Sequence, residues 1–87
     1  MLVFKRSTRK NKKYMVLYNG KWIHFGDTRY EQFKDSTPLK LYSHLDHGDV
    51  NRRKNYLQRS KGIRDGNGNL TYLNKNSANH YAVKYLW

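Results

Sequence analysis

The sequence predicts an α+β fold: an N-terminal β-hairpin packed against two or three short helices. Three observations lead there. Asn19-Gly20 lies between two apolar runs, and a two-residue hairpin turn needs residues that accept positive φ at both central positions. Asp49 precedes a segment from Val50 to about Lys61, and its carboxylate suits the free N–H groups of a first helical turn. Ser77 precedes Ala78, Tyr81, Ala82, Tyr85 and Leu86, which recur at helical spacing up to Trp87.

Residues 1–12 read as a basic arm ahead of a single domain over 13–87. The region up to Lys13 holds Lys5, Arg6, Arg9, Lys10, Lys12 and Lys13 and no acid, so self-repulsion predicts a segment that is mobile when free. Its apolar start, Met1 to Phe4, suits docking on a neighbour. The Asn19-Gly20 turn then sets a register. Tyr18 faces Lys21, Leu17 faces Trp22, Val16 faces Ile23, Met15 faces His24 and Tyr14 faces Phe25. Alternation places Tyr14, Val16, Ile23 and Phe25 on one face and Met15, Leu17, Trp22 and His24 on the other. Both faces are apolar, and an isolated hairpin is marginal, so helices must cover one face. The second face is expected to meet more of this chain or a partner.

Thr28 to Asp35 is expected to form a short helix with Tyr30 and Phe33 on one side, broken at Ser36-Thr37-Pro38. Leu39, Leu41, Tyr42 and Leu45 follow as apolar anchors. The central helix has a thin apolar stripe of Val50, the Arg53 stem, Tyr56 or Leu57, and Ser60, with Gly62 as its C-cap. Asp65-Gly66 and Asn67-Gly68 mark a loop, or a small second hairpin around Leu70 and Tyr72.

At 87 residues the chain holds one domain, and at 15% aromatic content, including 8 Tyr, large rings can supply much of the burial. Without cysteine there is no disulfide framework and no thiolate metal site. No apolar stretch is long enough for a membrane span, and the N-terminus lacks the apolar core of a signal peptide. Eighteen Lys and Arg against six Asp and Glu give +12, which points to a polyanion or an acidic protein surface as partner.

The stretch from His44 to Arg59 interleaves two imidazoles with two carboxylates and then runs into cations. His44, Asp46, His47 and Asp49 offer nitrogen and oxygen ligands, but Gly48 and the capping role of Asp49 disfavour a regular metal-binding turn. A metal-dependent nuclease-like enzyme would need clustered carboxylates, and only six acids exist. The reading adopted is that His47 and Asp49, with Tyr56, bond to Arg or Tyr groups and to backbone, and so fix the base of the helix. No metal, cofactor or catalytic residue is assigned. Arg52, Arg53, Lys54, Arg59, Lys61 and Arg64 form one cationic band and the arm with Lys13 the other, together 12 of the 18 basic residues. Nothing matches a base-reading motif, so nucleic-acid binding is expected to be non-specific. The competing expectation is an architectural protein whose cations meet acidic protein surfaces.

Tyr18-Asn19-Gly20-Lys21-Trp22-Ile23-His24-Phe25-Gly26, then Tyr30, His47-Gly48-Asp49, Arg52, Arg53, Tyr56 and Arg59, and finally Tyr85-Leu86-Trp87, resemble a group of small basic proteins of nucleocytoplasmic large DNA viruses. The resemblance spans roughly 13–87. Many members carry His after the last Arg of the central helix, where Ser60 stands here. The resemblance implies a virion protein, present in host cytoplasm during assembly, packaged with the genome or under the capsid shell. With the scarcity of acids this makes the expected function structural and non-catalytic, and the competing expectation in that setting is a minor capsid cement protein with no nucleic-acid contact, its cations meeting acidic faces of capsid subunits.

Overall fold

The computed structural model describes residues 2–87; Met1, grouped above with the apolar start, lies outside the described residues. The order is β1 (Val3–Arg6), β2 (Tyr14–Tyr18), β3 (Lys21–Phe25), α1 (Val50–Ser60) and α2 (Ala78–Tyr85), with single 3-10 turns at Ser43–Leu45 and Thr71–Leu73. A three-stranded antiparallel sheet followed by two helices makes this an α+β fold.

The Asn19-Gly20 turn has φ of 50° and 75°, and every β2–β3 pair falls in the register the turn sets. The arm departs from expectation. Val3–Arg6 is a third strand, with Phe4 opposite Val16 and Lys5 opposite Met15. A two-stranded ribbon leaves the β2 edge unpaired, and Phe4 adds a ring to the core face, 4.8 Å from Tyr85.

Tyr14, Val16 and Phe25 from the sheet and Tyr81 and Leu86 from the C-terminal segment form the buried core. Phe25 lies 5.8 Å from both Tyr14 and Tyr81, so rings do most of the filling. Gly26 (φ 78°) lets the chain leave β3 against this core. A Cβ there would come within 2.9 Å of Leu86 Cδ1 and 3.0 Å of Lys13 Cβ.

The expected helix over Thr28–Asp35 is absent. Gln32 instead pairs with Asp46 in a short parallel bridge, through Gln32 N to Leu45 O at 3.2 Å and His47 N to Gln32 O at 3.0 Å. Tyr30 is 66% exposed, whereas Gln32, Asp35 and Thr37 are buried. Polar partners decide this. Gln32 Nε2 donates to Tyr42 O at 2.7 Å and to Asp46 Oδ1 at 2.5 Å. Asp35 accepts from the Tyr14 hydroxyl, from Thr37 Oγ1 at 2.6 Å, and from the Tyr42 amide at 3.1 Å. Buried polar groups must be satisfied, and here that demand overrides local helix pattern.

Ser77 caps α2 by accepting from the Asn79 amide at 3.2 Å. At the end of α1 the cap position is Lys61, not Gly62. The loop after α1 closes with one Arg64–Leu70 bridge and a 3-10 turn. No helix among the described residues is long and apolar enough to cross a membrane.

Candidate functional site

Asp49 sets the start of α1. Its Oδ1 accepts the amides of Asn51 at 2.9 Å and Arg52 at 3.2 Å, satisfying two of the otherwise free donors of the first turn. His47 Nδ1 accepts the Asp49 amide at 2.9 Å. Its Nε2 is buried with no hydrogen-bond partner among the described residues, and its ring lies 5.1 Å from Trp87 and 6.2 Å from Phe33. Gly48 N donates to Phe33 O at 3.1 Å, tying the helix base to the polar loop.

Trp87 mounts the body of the helix. Tyr56 stacks on it at 4.1 Å with 9° between planes, and Arg53 Nε donates to its carbonyl at 2.7 Å. The Arg53 guanidinium also stands 5.2 Å from the Phe33 ring. The structure thus gathers His47, Asp49 and Tyr56 at the base and inner side of α1. The bonds of His47 and Asp49 run to backbone rather than to Arg or Tyr side chains, and Trp87 is the shared surface. Sequence reading missed that role; the closing Tyr85-Leu86-Trp87 was its signal.

The cations divide into three groups. Lys13 leaves the anion-binding set: it is 2% exposed, and its ammonium donates to Tyr30 O at 2.9 Å and to Gln32 Oε1. Burial pushes its pKa down from 10.5, opposed by Asp27, Asp35 and Asp46. Its long stem fits beneath Gly26, so an internal role takes it from the surface. Arg52, Arg53 and Lys5 are held in place, Arg52 by Glu31 at 3.1 Å, Arg53 by Trp87, and Lys5 at 5.5 Å over the Trp22 ring. Arg6, Arg9, Lys10, Lys12, Lys54, Arg59 and Lys61 are exposed, Arg59 and Lys61 with ring contacts like that of Lys5, 5.8 Å from Tyr56 and 5.7 Å from Tyr72. Among the described residues only two ion pairs exist, Arg29–Asp27 and Arg52–Glu31, so none of these seven has a carboxylate within salt-bridge reach.

A cleft of about 690 Å³ separates α1 from the loop after β3. Arg52, Asn55, Tyr56 and Arg59 line the helix side at i, i+3, i+4 and i+7, which is one face of a helix. Asp27, Tyr30 and Glu31 line the other side. Asp27 is held down to about 2, chiefly by the Arg29 side chain and then by the Arg29 amide. Thr28 N donates to Asn11 O at 3.1 Å, so the β1–β2 turn with Arg9, Lys10 and Lys12 is fastened to this loop. The Glu31–Arg52 pair fastens α1 to it as well. Both cationic bands therefore border the 27–31 loop. Glu31 and Asn55 had no signal in sequence, because only the folded loop brings them opposite one another.

Among the described residues no three His, Cys, Asp or Glu side chains converge as metal ligands. The four candidates before α1 have separate surroundings. Asp46 Oδ1 accepts from Gln32 Nε2 and, at 2.8 Å, from the Asp35 amide; Asp49 caps α1; His47 meets Trp87; His44 lies 6.1 Å from Tyr42.

Residues 2–60, more than half of the chain, match a family of unknown function, DUF5754. The chain belongs to the DUF5754 family. The match takes in the sheet, the polar loop and α1. The DUF5754 span thus contains both cationic bands up to Arg59, and leaves out α2. No curated protein and no solved structure matches the chain.

Proposed function

We propose that this DUF5754 protein is a non-enzymatic structural protein that grips a polyanion, genome DNA first, through the cations of α1 and of the β1–β2 turn. One observation supports this above the rest: α1 has no acid, and Lys54, Arg59 and Lys61 stand exposed with no carboxylate partner. Unpaired cations in this density neutralise phosphates and release counterions. Arg52, Arg53 and Tyr56 anchor the helix, so the cations without a carboxylate partner are displayed from a fixed mount. The setting we infer is the particle of a large double-stranded DNA virus, for which the resemblance in the β2–β3 ribbon and the His47-Gly48-Asp49 segment is the support. Acidic faces of capsid subunits are the alternative partner there.

Duplex binding measured against salt tests the grip. With about six phosphates contacted, log K should fall with log salt at a slope near −5, and a slope shallower than about −2 would sink the reading. Nuclease treatment of opened particles should release the protein with the genome. Retention in the shell would assign it to capsid contacts instead.

A further inference from the structure

The sheet has a second face that no helix covers. The register places Val3, Leu17 and Trp22 side by side in one row, and Lys5, Met15 and His24 in the next. α2 packs on the opposite face, against Phe25 and Tyr14. Trp22 remains 38% exposed and Val3 45%. Lys5 reaches across to the Trp22 ring. Beyond the second row lies the β1–β2 turn, whose Arg9 and Lys12 are close enough to His24 to add to the effect of burial in holding its pKa down.

We propose that this face binds single-stranded nucleic acid, with bases against Trp22 and Leu17 and phosphates toward Lys5 and the β1–β2 turn. Charge complementarity supplies the first argument. Residues 2–26 contain no acid, so every ionised group of fixed charge that the three strands and their turns carry is positive, and Asp27, which lies near Lys12 of the β1–β2 turn, is itself paired with Arg29. The pattern supplies the second. An apolar, aromatic row lies beside a cationic margin, and a single strand alternates planar rings with anionic links in the same way. A duplex hides its base faces in the stack and can use only the margin. An acidic peptide satisfies the cations but brings no repeated ring for the indole. This site is separate from the phosphate grip of α1, and it stands or falls independently of that reading.

The test is fluorescence anisotropy of the full chain with a labelled oligothymidine strand and, separately, with a duplex. Trp22→Ala should weaken the single strand about tenfold and leave the duplex within error, because one lost stack costs about that much. Lys5→Glu, at an exposed position, should weaken the strand too. Lys54→Ala with Arg59→Ala should do the reverse, weakening the duplex more than the strand. Circular dichroism establishes that each variant is folded, and Lys5→Glu carries the test if Trp22→Ala is not. Unchanged strand affinity in the folded variants overturns the proposal. So does displacement of the strand by polyglutamate whose own binding depends on Trp22, which would assign the face to an acidic protein. If the Lys54/Arg59 variant keeps duplex affinity, the α1 grip fails while the sheet-face site survives.

Discussion

Tyr14 joins the apolar core to the buried polar network. Its ring is fully buried, its hydroxyl donates to Asp35 Oδ2, and it accepts the Leu41 amide at 2.8 Å. Burial first, then the bond to Asp35, pushes its pKa up to about 12 from 10.0. A folded pKa above the unfolded one stabilises fully below pH 10 and is lost as pH rises toward 12. Tyr81, raised by burial, has the same sign; Lys13, lowered by burial, opposes them only until pH 10.5. Stability in urea should therefore fall between pH 10 and 12, and Tyr14→Phe should flatten that fall. At neutral pH the same variant should lose about 1–3 kcal/mol, since Asp35 and the Leu41 amide each lose a buried partner. Asp35 acts at the acid end. Burial raises its pKa, but bonds from Thr37, Tyr14 and the Tyr42 amide outweigh that and leave it lowered. Its contribution is present above pH 3.8 and declines as pH falls below. The apolar placement of Tyr14 and Tyr81 was legible from strand alternation and helical spacing, but the hydroxyl partner of Tyr14 and the burial of Lys13 and Asp35 were not. An Asp or Lys in a polar stretch has no mark of burial until the partner arrives from a distant segment.

At the scale of elements, α1 is a cationic rod held at one end by a cap and along one side by a ring. Asp49→Ala should cost about 1 kcal/mol, the usual value of an N-cap, read as a lower urea midpoint with unchanged slope. Trp87→Ala should cost more, about 1.5–3 kcal/mol for a large, half-buried ring, since Tyr56 and His47 lose one shared surface. Hydrogen exchange should show α1 opening in that variant ahead of the sheet. Restoration by Trp87→Phe in part, and not by Trp87→Leu, would show that stacking matters beyond volume. The two helices and the hairpin were legible because cap residues and the Asn-Gly turn act within a few residues of themselves. The loop from Asp27 to Asp49 was not, because its bonds run to Lys13, Tyr14 and the end of α2.

For the whole molecule, charge is sorted by place. The acids are spent internally or at fixed tasks: Asp35 and Asp46 in the network, Asp49 on the cap, Asp27 and Glu31 on Arg29 and Arg52, and Asp65 on the amides of Asn67 and Asn69. What remains outward on α1 and the β1–β2 turn is positive. If α1 grips phosphates, Lys54→Ala with Lys61→Ala should shallow the salt slope for duplex by about 2, close to one per contact removed. The loss should be the same for duplexes of different sequence, because phosphate contacts position without reading bases. A loss confined to one sequence would contradict it.

By itself the sequence determined the β2–β3 register, the two capped helices and the surplus of cation, since these follow from local turn chemistry, short-range capping and composition. Tertiary structure alone decided that Val3–Arg6 pairs with β2, that Lys13 turns inward, and that Trp87 seats α1. Those outcomes depend on unpaired strand edges and buried polar groups finding partners far along the chain, which no window of neighbouring residues contains.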